Sequence, residues 1–276
     1  MGKFDGTLIC TDLDGTLYRN DKSISPENKK AIEYFKSEGG YFAFITGRMP
    51  YYSKDAYDAV QPNVPYGCAN GGGVYDGVAN KYIWTYEKMP ADVFELIKCI
   101  DERFSDVGIQ VCTYDRTFFA KENDVMQNFR KITKLPNYIC DYRNVKDPIA
   151  KIIFGTDKEK RMQEIEQTLK AHPLSKSFDF VRSDRVLFEI LPKGVNKGLA
   201  LKKMTEYLNV DISRAIAIGD YNNDIGMFNA AGIGVAVSNA CKAALDAADY
   251  VTVSNEEHAI ARVIYDLESG RLKAKS

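Results

Sequence analysis

The sequence predicts an α/β fold, in which a doubly wound, mostly parallel core sheet is interrupted by an inserted α+β domain. Three observations support this prediction. Short apolar runs alternate with helical stretches in the first and last thirds of the chain, as in strand–helix–strand units. The middle third instead contains strand segments in which polar and apolar residues alternate, which is typical of an antiparallel sheet. The 276 residues are enough for one large domain or for two modest ones.

The first strand–helix–strand unit begins at Leu8–Thr11, a short apolar run that predicts a buried parallel strand. Ser25 is suited to cap the following helix, Pro26 suits its first turn, and the glycine pair at 39–40 ends it. The apolar run Tyr41–Ile45 predicts a second buried strand. We therefore expect the two strands to be parallel and their crossover to be right-handed.

The last third of the chain repeats this alternation of helices and strands. It closes with a helix start that is rich in acidic residues, which suit the positive end of a helix dipole. The predicted elements are a helix at Asn196–Leu208, a strand at Ala215–Ile218, a short helix at Asn222–Ala231, strands at Gly234–Val237 and Tyr250–Val253, and a final helix that starts at Asn255.

The middle of the chain predicts a separate domain with an antiparallel sheet that has helices on one face. The predicted helices are Ala91–Phe104 and Lys158–Ala171, and the predicted strands are Ile109–Tyr114, Thr117–Ala120, Ala150–Gly155, Phe178–Ser183 and Val186–Leu191. We accordingly assign residues 1–83 and 189–276 to the core and residues 84–188 to the inserted domain. No low-complexity linker or internal repeat marks the joints.

Composition and charge exclude several classes of protein. The net charge of −1 provides no bulk field for nucleic acid or for an anionic membrane, so an anionic ligand must be bound by local groups. No apolar run approaches the roughly 20 residues of a membrane span. Asp5 comes too early for a signal peptide, and the six cysteines form no CxxC pair, which indicates free thiols in a reducing compartment. We expect a cytoplasmic protein, and the sequence does not indicate its oligomeric state.

Two acidic residues, Asp12 and Asp14, follow the first predicted strand directly. In open α/β sheets ligands bind at the carboxyl ends of the strands, and side chains at positions i and i+2 of a strand point the same way. Two carboxylates that are crowded together repel each other unless a cation or a proton lies between them. The simpler alternative is an acidic turn after a buried strand, with Gly15 permitting the turn.

Four separate motifs resemble those of the haloacid-dehalogenase superfamily. The segment 12–16, Asp-Leu-Asp-Gly-Thr, resembles the first motif, and Thr46-Gly47-Arg48 after the second strand resembles the second. Lys197 resembles the third motif, and the segment 219–224, Gly-Asp-Tyr-Asn-Asn-Asp, resembles the fourth. Their order and the long insertion between the second and third motifs are similar to the Cof-type sugar-phosphatase branch, which carries a large α/β cap.

This resemblance implies a phosphatase that hydrolyses small phosphorylated metabolites, such as sugar phosphates, through an aspartyl-phosphate intermediate. It implies that Asp12 is the nucleophile and that Asp14 is the general acid and base. It also implies Mg²⁺, held by the Asp12 carboxylate, the Asp14 backbone carbonyl and Asp220, since Mg²⁺ prefers oxygen ligands. The inserted domain would be the cap that selects the substrate.

The resemblance also implies a set of phosphate-binding groups at Thr46, Gly47, Lys197 and Asn223. A hydroxyl and free backbone N–H groups can hold phosphate oxygens. Lys197 is predicted at a helix start, where a cation is unfavourable for the dipole, and this misfit favours a functional role. The alternatives are an ordinary strand-ending turn at Thr46 and helix capping at Asn223.

Four further residues are candidates for supporting roles. Asp224 is expected to orient metal-bound water or Lys197. Arg48 is a candidate for substrate contact, although a solvated arginine near a helix start explains it equally well. Asn70 and Gly71 belong to a loop that resembles one beside the active site in this branch, although the same residues are also an ordinary turn signal.

Two other functions are compatible with these motifs. A hexose phosphomutase of the same superfamily needs the same aspartate pair, and transfer to a sugar in the presence of a bisphosphate activator would reveal it. A non-catalytic, phosphate-responsive regulatory protein would keep the fold without turnover. The chain departs from the branch at His258, where glycine is usual, but this position lies outside the four motifs.

Overall fold

The computed structural model describes residues 2–87 and 89–272. The first half of the chain contains β1 (Leu8–Thr11), α1 (Pro26–Ser37), β2 (Tyr41–Phe44), α2 (Lys54–Val60), β3 (Tyr66–Cys68), β4 (Gly73–Asp76), β5 (Lys81–Thr85), α3 (Val93–Arg103), β6 (Gly108–Thr113), β7 (Thr117–Lys121) and α4 (Asp124–Thr133). The second half contains β8 (Ile149–Gly155), α5 (Glu159–Ala171), β9 (Phe178–Asp184), β10 (Leu187–Pro192), α6 (Lys197–Leu208), β11 (Ala215–Gly219), α7 (Ile225–Ala230), β12 (Ile233–Ala236), α8 (Lys242–Ala247), β13 (Tyr250–Val251) and α9 (Ala259–Glu268).

The described residues divide into two compact units. The first unit contains residues 2–48, 53–85 and 196–272, and the second contains residues 49–52 and 86–195. The second unit thus includes all of β10, whereas the domain boundary at 188/189 in the sequence analysis falls inside that strand. The short segment 49–52 also belongs to the second unit, although it lies far from residue 86 in the sequence.

The first unit is built on a parallel sheet with the strand order β13-β12-β11-β1-β2. Every strand is short and apolar, and helices supply the crossover connections, as the sequence predicts. The α1 helix begins as expected, because the Ser25 side chain accepts a hydrogen bond from the Asn28 N–H at 3.1 Å and Pro26 occupies the first turn. The predicted α/β class with a mostly parallel sheet is confirmed.

The first unit also contains elements that the sequence analysis did not predict. These are α2, α8 and a small antiparallel sheet with the order β3-β4-β5. Three to five residues form each of these strands, and they include glycines and turn residues, so their hydrophobic periodicity is too short to be distinguished from a loop.

The second unit is an antiparallel sheet with the order β7-β6-β8-β10-β9. Apolar residues of β6, β8 and β10 form one face and pack with the buried faces of α3 and α5. The other face is more polar and holds a buried ion pair between Lys151 and Glu189 at 2.9 Å. The alternating pattern therefore predicted the sheet correctly, while the largely polar α4 was not predicted.

Two local predictions differ from the structure. The final helix begins at Ala259 instead of Asn255. His258 adopts a left-handed conformation with φ +63°, and a right-handed helix cannot continue through such a residue. Residues 255–257 form only a 3₁₀ turn, in which Ser254 and Glu257 cap each other. The predicted helix at 222–231 is likewise a 3₁₀ turn at 222–224 followed by α7.

Across the described residues, no helix combines the length and the hydropathy that a membrane crossing requires.

Candidate active site

Three neighbouring strands place polar side chains at one edge of the parallel sheet. Asp12 follows β1, Thr46 lies two residues after β2, and Asp220 follows β11. Because β11, β1 and β2 are adjacent and parallel, their carboxyl ends meet at the same edge. The Asp12 backbone N–H donates to the Ile218 carbonyl at 2.8 Å, so its backbone continues the sheet before the chain turns away. The structure thus brings together the first, second and fourth motifs.

Lys197 lies fully buried at this edge, between two carboxylates. Its Nζ donates to Asp12 Oδ1 and to Asp224 Oδ1, each at 2.5 Å. Burial acts to lower the pKa of Lys197, but the charges of the two aspartates outweigh it and raise the pKa above its usual value. Asn196 fixes the position by capping α6, since its Oδ1 accepts from the N–H groups of residues 198 and 199. Lys197 is therefore a cation held against the predicted nucleophile.

Asp224 is an orienting residue whose two oxygens are both occupied. Its Oδ1 accepts from Lys197, and its Oδ2 accepts from the backbone N–H groups of Asp220 and Tyr221 at 2.9 and 3.0 Å. The side chain is fully buried. Asp224 consequently holds both the ammonium and the turn that carries Asp220.

Asp220 keeps one oxygen available at the centre of the site. Its Oδ1 accepts from Thr16 Oγ1 at 2.7 Å, whereas Oδ2 has no hydrogen-bond partner among the described residues. Burial, followed by the charge of Asp224, raises the pKa of Asp220 to about 7. Gly15 passes so close that a Cβ there would lie 2.5 Å from Asp220 Oδ2, and its φ is +81°. The glycine of the first motif is required at this position by both space and backbone conformation.

Asp14 is turned toward two cations. Arg48 donates to both of its oxygens in a bidentate arrangement, with distances from 2.7 to 3.2 Å, and Lys22 Nζ donates to Oδ1 at 2.9 Å. Burial acts to raise the pKa of Asp14, but Arg48 and Lys22 outweigh it and hold the pKa below its usual value. Arg48, a candidate for substrate contact in the sequence analysis, thus contacts Asp14 in this structure.

The residues predicted to bind phosphate form a connected group. Thr46 is buried, and its carbonyl accepts from the Asn70 N–H at 3.1 Å. Asn223 Nδ2 donates to Asn70 Oδ1 at 3.0 Å, while Asn223 Oδ1 is buried and has no partner among the described residues. A Cβ on Gly47 would lie 3.0 Å from Asn70 Oδ1. The loop at Asn70 and Gly71 therefore packs directly on the second and fourth motifs.

Three residues of the site were not singled out by the sequence analysis. Thr16 belongs to the first motif and bonds to Asp220, so its position in that motif was an available signal. Asn239 Nδ2 donates to the Gly15 carbonyl at 2.9 Å and steadies the turn after the first strand. Lys22 reaches Asp14 from a short turn. Neither Asn239 nor Lys22 stands in a recognisable motif.

Comparisons with known proteins agree with this arrangement. The sequence profile of the haloacid dehalogenase-like hydrolases matches residues 9–264. The 5-amino-6-(5-phospho-D-ribitylamino)uracil phosphatase YitU of Bacillus subtilis (strain 168) is 29% identical over 262 residues, which cover 93% of this chain and 96% of that protein.

Solved structures show the same fold. A haloacid dehalogenase-like hydrolase from Bacteroides thetaiotaomicron superposes with a TM-score of 0.80 at 24% identity and covers 95% of this chain and 99% of its own. The HAD subclass IIB sugar phosphatase BT4131 superposes with a TM-score of 0.80 at 18% identity, covering 95% and 98% of the two chains. These structures confirm the fold, and the sequence profile confirms what the four motifs indicated: the chain belongs to the haloacid dehalogenase-like hydrolases, in their Cof-type branch of phosphatases.

Proposed function

We propose that this protein is a Mg²⁺-dependent phosphatase that hydrolyses small phosphorylated metabolites, with sugar phosphates as the substrate class. The observation that carries the proposal is the environment of Asp12. Its Oδ1 is held by the buried ammonium of Lys197, and its Oδ2 has no hydrogen-bond partner among the described residues. A fixed carboxylate with one available oxygen at a strand end is suited to attack phosphorus.

The chemistry that follows uses Asp12 twice. In the first step the Asp12 carboxylate forms a bond to phosphorus while the ester P–O bond breaks, and the leaving alcohol takes a proton from Asp14. In the second step water attacks the aspartyl phosphate and gives its proton to Asp14, which releases inorganic phosphate and frees Asp12. Phosphoryl transfer requires mainly positioning and charge stabilisation, and Lys197 supplies positive charge beside the reacting oxygen.

Asp14 requires a change of partners before it can act as an acid. Arg48 and Lys22 favour its carboxylate form in this structure. We infer that binding of an anionic substrate draws these cations away, since a phosphate competes with Asp14 for them. Asp14 then becomes free to share a proton with the ester oxygen.

The phosphate itself would be bound by groups that the structure brings to the same edge. Thr46 offers its hydroxyl in a turn after β2, since Oγ1 accepts from the Arg48 N–H at 3.2 Å and its own hydrogen can still be donated to a phosphate oxygen, and Gly47 is the next residue of that turn. Asn223 is oriented by Asn70, and Lys197 is the buried cation. These four residues are the proposed phosphate site.

The residues at the centre of the site fit a divalent cation. Carboxylate oxygens of Asp12, Asp220 and Asp224 lie within 4.8 Å of one another, and burial together with the charge of Asp224 raises the pKa of Asp220. Because both oxygens of Asp224 are already bonded, we assign the direct contacts to Asp12 and Asp220, with the Asp14 carbonyl as the family implies. A bound Mg²⁺ supplies charge neutralisation between the nucleophile and the phosphate.

Metal dependence is the first test of the proposal. Purified protein is incubated with a panel of sugar phosphates and an aryl phosphate, and released phosphate is measured. We expect turnover with Mg²⁺, none after chelation with EDTA, and recovery when Mg²⁺ is restored. Full turnover in metal-free buffer would exclude the assignment of the cation, and transfer of phosphate to a sugar instead of water would identify a phosphomutase.

The second test is Asp12→Asn, which removes the nucleophile with little change in shape. We expect kcat to fall more than about 100-fold, equivalent to a barrier increase of about 2.7 kcal/mol. Circular dichroism should remain that of the wild type. If the variant retained more than about one hundredth of the wild-type kcat, the nucleophile would have to be reassigned.

A further inference from the structure

The loop between β1 and α1 carries Asp14 but has little regular structure of its own. Residues 12–25 contain neither a helix nor a strand of the sheet. The Leu13 carbonyl accepts from two N–H groups further along the loop, at 2.8 and 3.4 Å, and anchors the loop where it leaves β1. Gly15, with φ +81°, follows Asp14 directly and is the loop residue with the greatest backbone freedom. The position of Asp14 therefore depends on what holds the Gly15 peptide.

Asn239, in the segment after β12, holds that peptide. Its Nδ2 donates to the Gly15 carbonyl at 2.9 Å, and its Oδ1 accepts from the Asn255 N–H, also at 2.9 Å. Because one partner is a carbonyl and the other an N–H group, only one orientation of the amide satisfies both. The Asn239 side chain thus connects the loop to the segment that follows β13.

Asn255 holds the same loop at a second place. Its Nδ2 donates to the Tyr18 carbonyl at 3.0 Å and to Asn20 Oδ1 at 3.3 Å. Asn255 is 3% exposed, whereas Asn239 is an exposed residue. Asn255 therefore ties the loop to the interior of the first unit. Asn239 is no part of the hydrophobic core, so its influence on the loop comes through its two hydrogen bonds.

These backbone anchors matter most when Asp14 transfers a proton. Arg48 and Lys22 hold the Asp14 carboxylate in this structure, but in the proposed reaction Asp14 leaves them for the ester oxygen. At that moment its position is set by the backbone on either side of it. A displacement of about 1 Å in a catalytic group can cost about 100-fold in rate.

We propose that Asn239 is a positioning residue that fixes Asp14 for proton transfer to the leaving group, with Asn255 as its support. This inference rests on the proposed phosphatase activity and adds to the reaction a residue outside the four motifs. As the ester P–O bond breaks, the leaving oxygen takes the proton of Asp14. An alkyl alcohol such as a sugar hydroxyl needs this proton, phenol needs it less, and 4-nitrophenolate leaves without it. Loss of Asn239 should therefore be largest for the most basic leaving group.

The test compares substrates that differ in their leaving group. Values of kcat/KM are measured at saturating Mg²⁺ for 4-nitrophenyl phosphate, phenyl phosphate and the sugar phosphate with the highest turnover in the panel. This constant includes only the steps up to the first phosphoryl transfer, so the later attack of water does not contribute. Ratios between substrates within one preparation are compared, so partial loss of folded protein does not affect the result.

The first variant is Asn239→Ala, which removes both hydrogen bonds. All three values of kcat/KM should fall, because the loop that carries Asp14 is loosened. The loss should be at least about threefold greater for phenyl phosphate than for 4-nitrophenyl phosphate. For the sugar phosphate it should be at least about tenfold greater, which corresponds to about 1.4 kcal/mol in the barrier.

Asn239→Asp separates the two hydrogen bonds. The carboxylate can still accept from the Asn255 N–H, but it has no donor for the Gly15 carbonyl. It should therefore change the substrate ratios in the same direction as Asn239→Ala. Ser238→Asp is the matched control, since it places the same negative charge at the neighbouring exposed position and should keep the wild-type ratios.

Equal losses for every substrate in Asn239→Ala would overturn the proposal, since a merely destabilised site loses turnover of all esters alike. Wild-type ratios in Asn239→Asp would also contradict it, because the bond to Gly15 would then be dispensable. A change of the same size in Ser238→Asp would assign the effect to charge and not to position. If the wild type turned over none of the esters, the phosphatase activity itself would be wrong.

Discussion

Lys197 is the residue on which most of the site depends. A cation in the first turn of a helix is unfavourable for the helix dipole, and a fully buried cation loses its hydration. The hydrogen bonds to Asp12 and Asp224 offset both costs. Removing the ammonium would leave two buried carboxylates facing each other without a counter-charge.

Lys197→Met is therefore expected to weaken both stability and activity. The free energy of unfolding should fall by about 3 kcal/mol, as for other buried ion pairs that lose one partner, and kcat should fall at least about 100-fold. Urea denaturation and phosphate release measure the two effects. Lys202→Met, an exposed lysine of the same helix, is the control and should change stability by less than about 0.5 kcal/mol. Wild-type stability in Lys197→Met would show that the ion pairs are not important to the fold.

The second prediction at the residue scale concerns pH. The pKa of Asp220 is raised from 3.8 to about 7, so between about pH 4 and pH 7 the folded protein binds more protons than the unfolded chain does. The contribution of Asp220 to the free energy of unfolding therefore falls as pH rises through this range. A bound cation replaces the proton, so stabilisation by Mg²⁺ should be larger at pH 8 than at pH 5.

Thermal unfolding with and without saturating Mg²⁺ at the two pH values checks this expectation. In Asp220→Asn the increase in Tm caused by Mg²⁺ should be largely lost at pH 8, because a direct oxygen ligand with negative charge is missing. Equal increases in Tm at pH 5 and pH 8 for the wild type would contradict the link between Asp220 and the metal.

At the scale of elements, the site depends on a close approach between a turn and a helix end. The turn at 69–71 follows β3, and it contacts the start of α6 beside Asn196. Gly71 has φ +101°, and a Cβ there would lie 1.9 Å from the Asn196 carbonyl oxygen. Neither the backbone conformation nor the space permits another residue without movement of the turn.

Gly71→Ala should consequently destabilise the protein by more than about 2 kcal/mol and lower kcat, because Asn70 would be displaced from Asn223. Gly270→Ala is the matched control: its φ is +69°, but no atom lies within 4 Å of a Cβ at that position. It should cost only the backbone strain, about 1 kcal/mol. Similar losses of stability in both variants, measured by urea denaturation, would show that close packing at Gly71 is unimportant.

At the scale of the whole molecule, each of the two units has its own hydrophobic core. Apolar residues of the parallel sheet and its helices form one buried cluster, and those of the antiparallel sheet with α3 and α5 form another. A unit with its own core can fold independently. We propose that the second unit supplies the groups that distinguish one phosphate ester from another.

Excision of residues 86–195, bridged by a short Gly-Ser linker, tests this proposal. Tyr51 and Tyr52 are changed to serine in the same variant, because they belong to the second unit and would be left without it. The remaining core should unfold cooperatively, bind Mg²⁺ and hydrolyse activated aryl phosphates slowly with little preference among sugar phosphates. A folded core that kept the full-length ranking of sugar phosphates would place specificity in the first unit.

Much of the fold could be predicted from sequence because its signals are local. Apolar runs gave the strands β1, β2 and β11, and alternation gave the antiparallel sheet of the second unit. The positions of Asp12 and Asp220 at strand ends followed from the same runs, because an acidic residue that directly follows an apolar run can be recognised from the local sequence alone. Short elements such as β3 to β5 could not be predicted, because three to five residues carry too little periodicity.

The sequence by itself determined the family, the order of the motifs and the residues that carry the proposed chemistry. Only the tertiary structure decided which of these residues meet: Arg48 with Asp14, Thr16 with Asp220 across 204 positions, and Asn223 with Asn70 across 153. The tertiary structure also showed that Lys22 contacts Asp14 and that residues 49–52 belong to the second unit. The physical reason is that such contacts depend on strand order and on the paths of the connections, and these arise from packing of the whole chain, which no local pattern encodes.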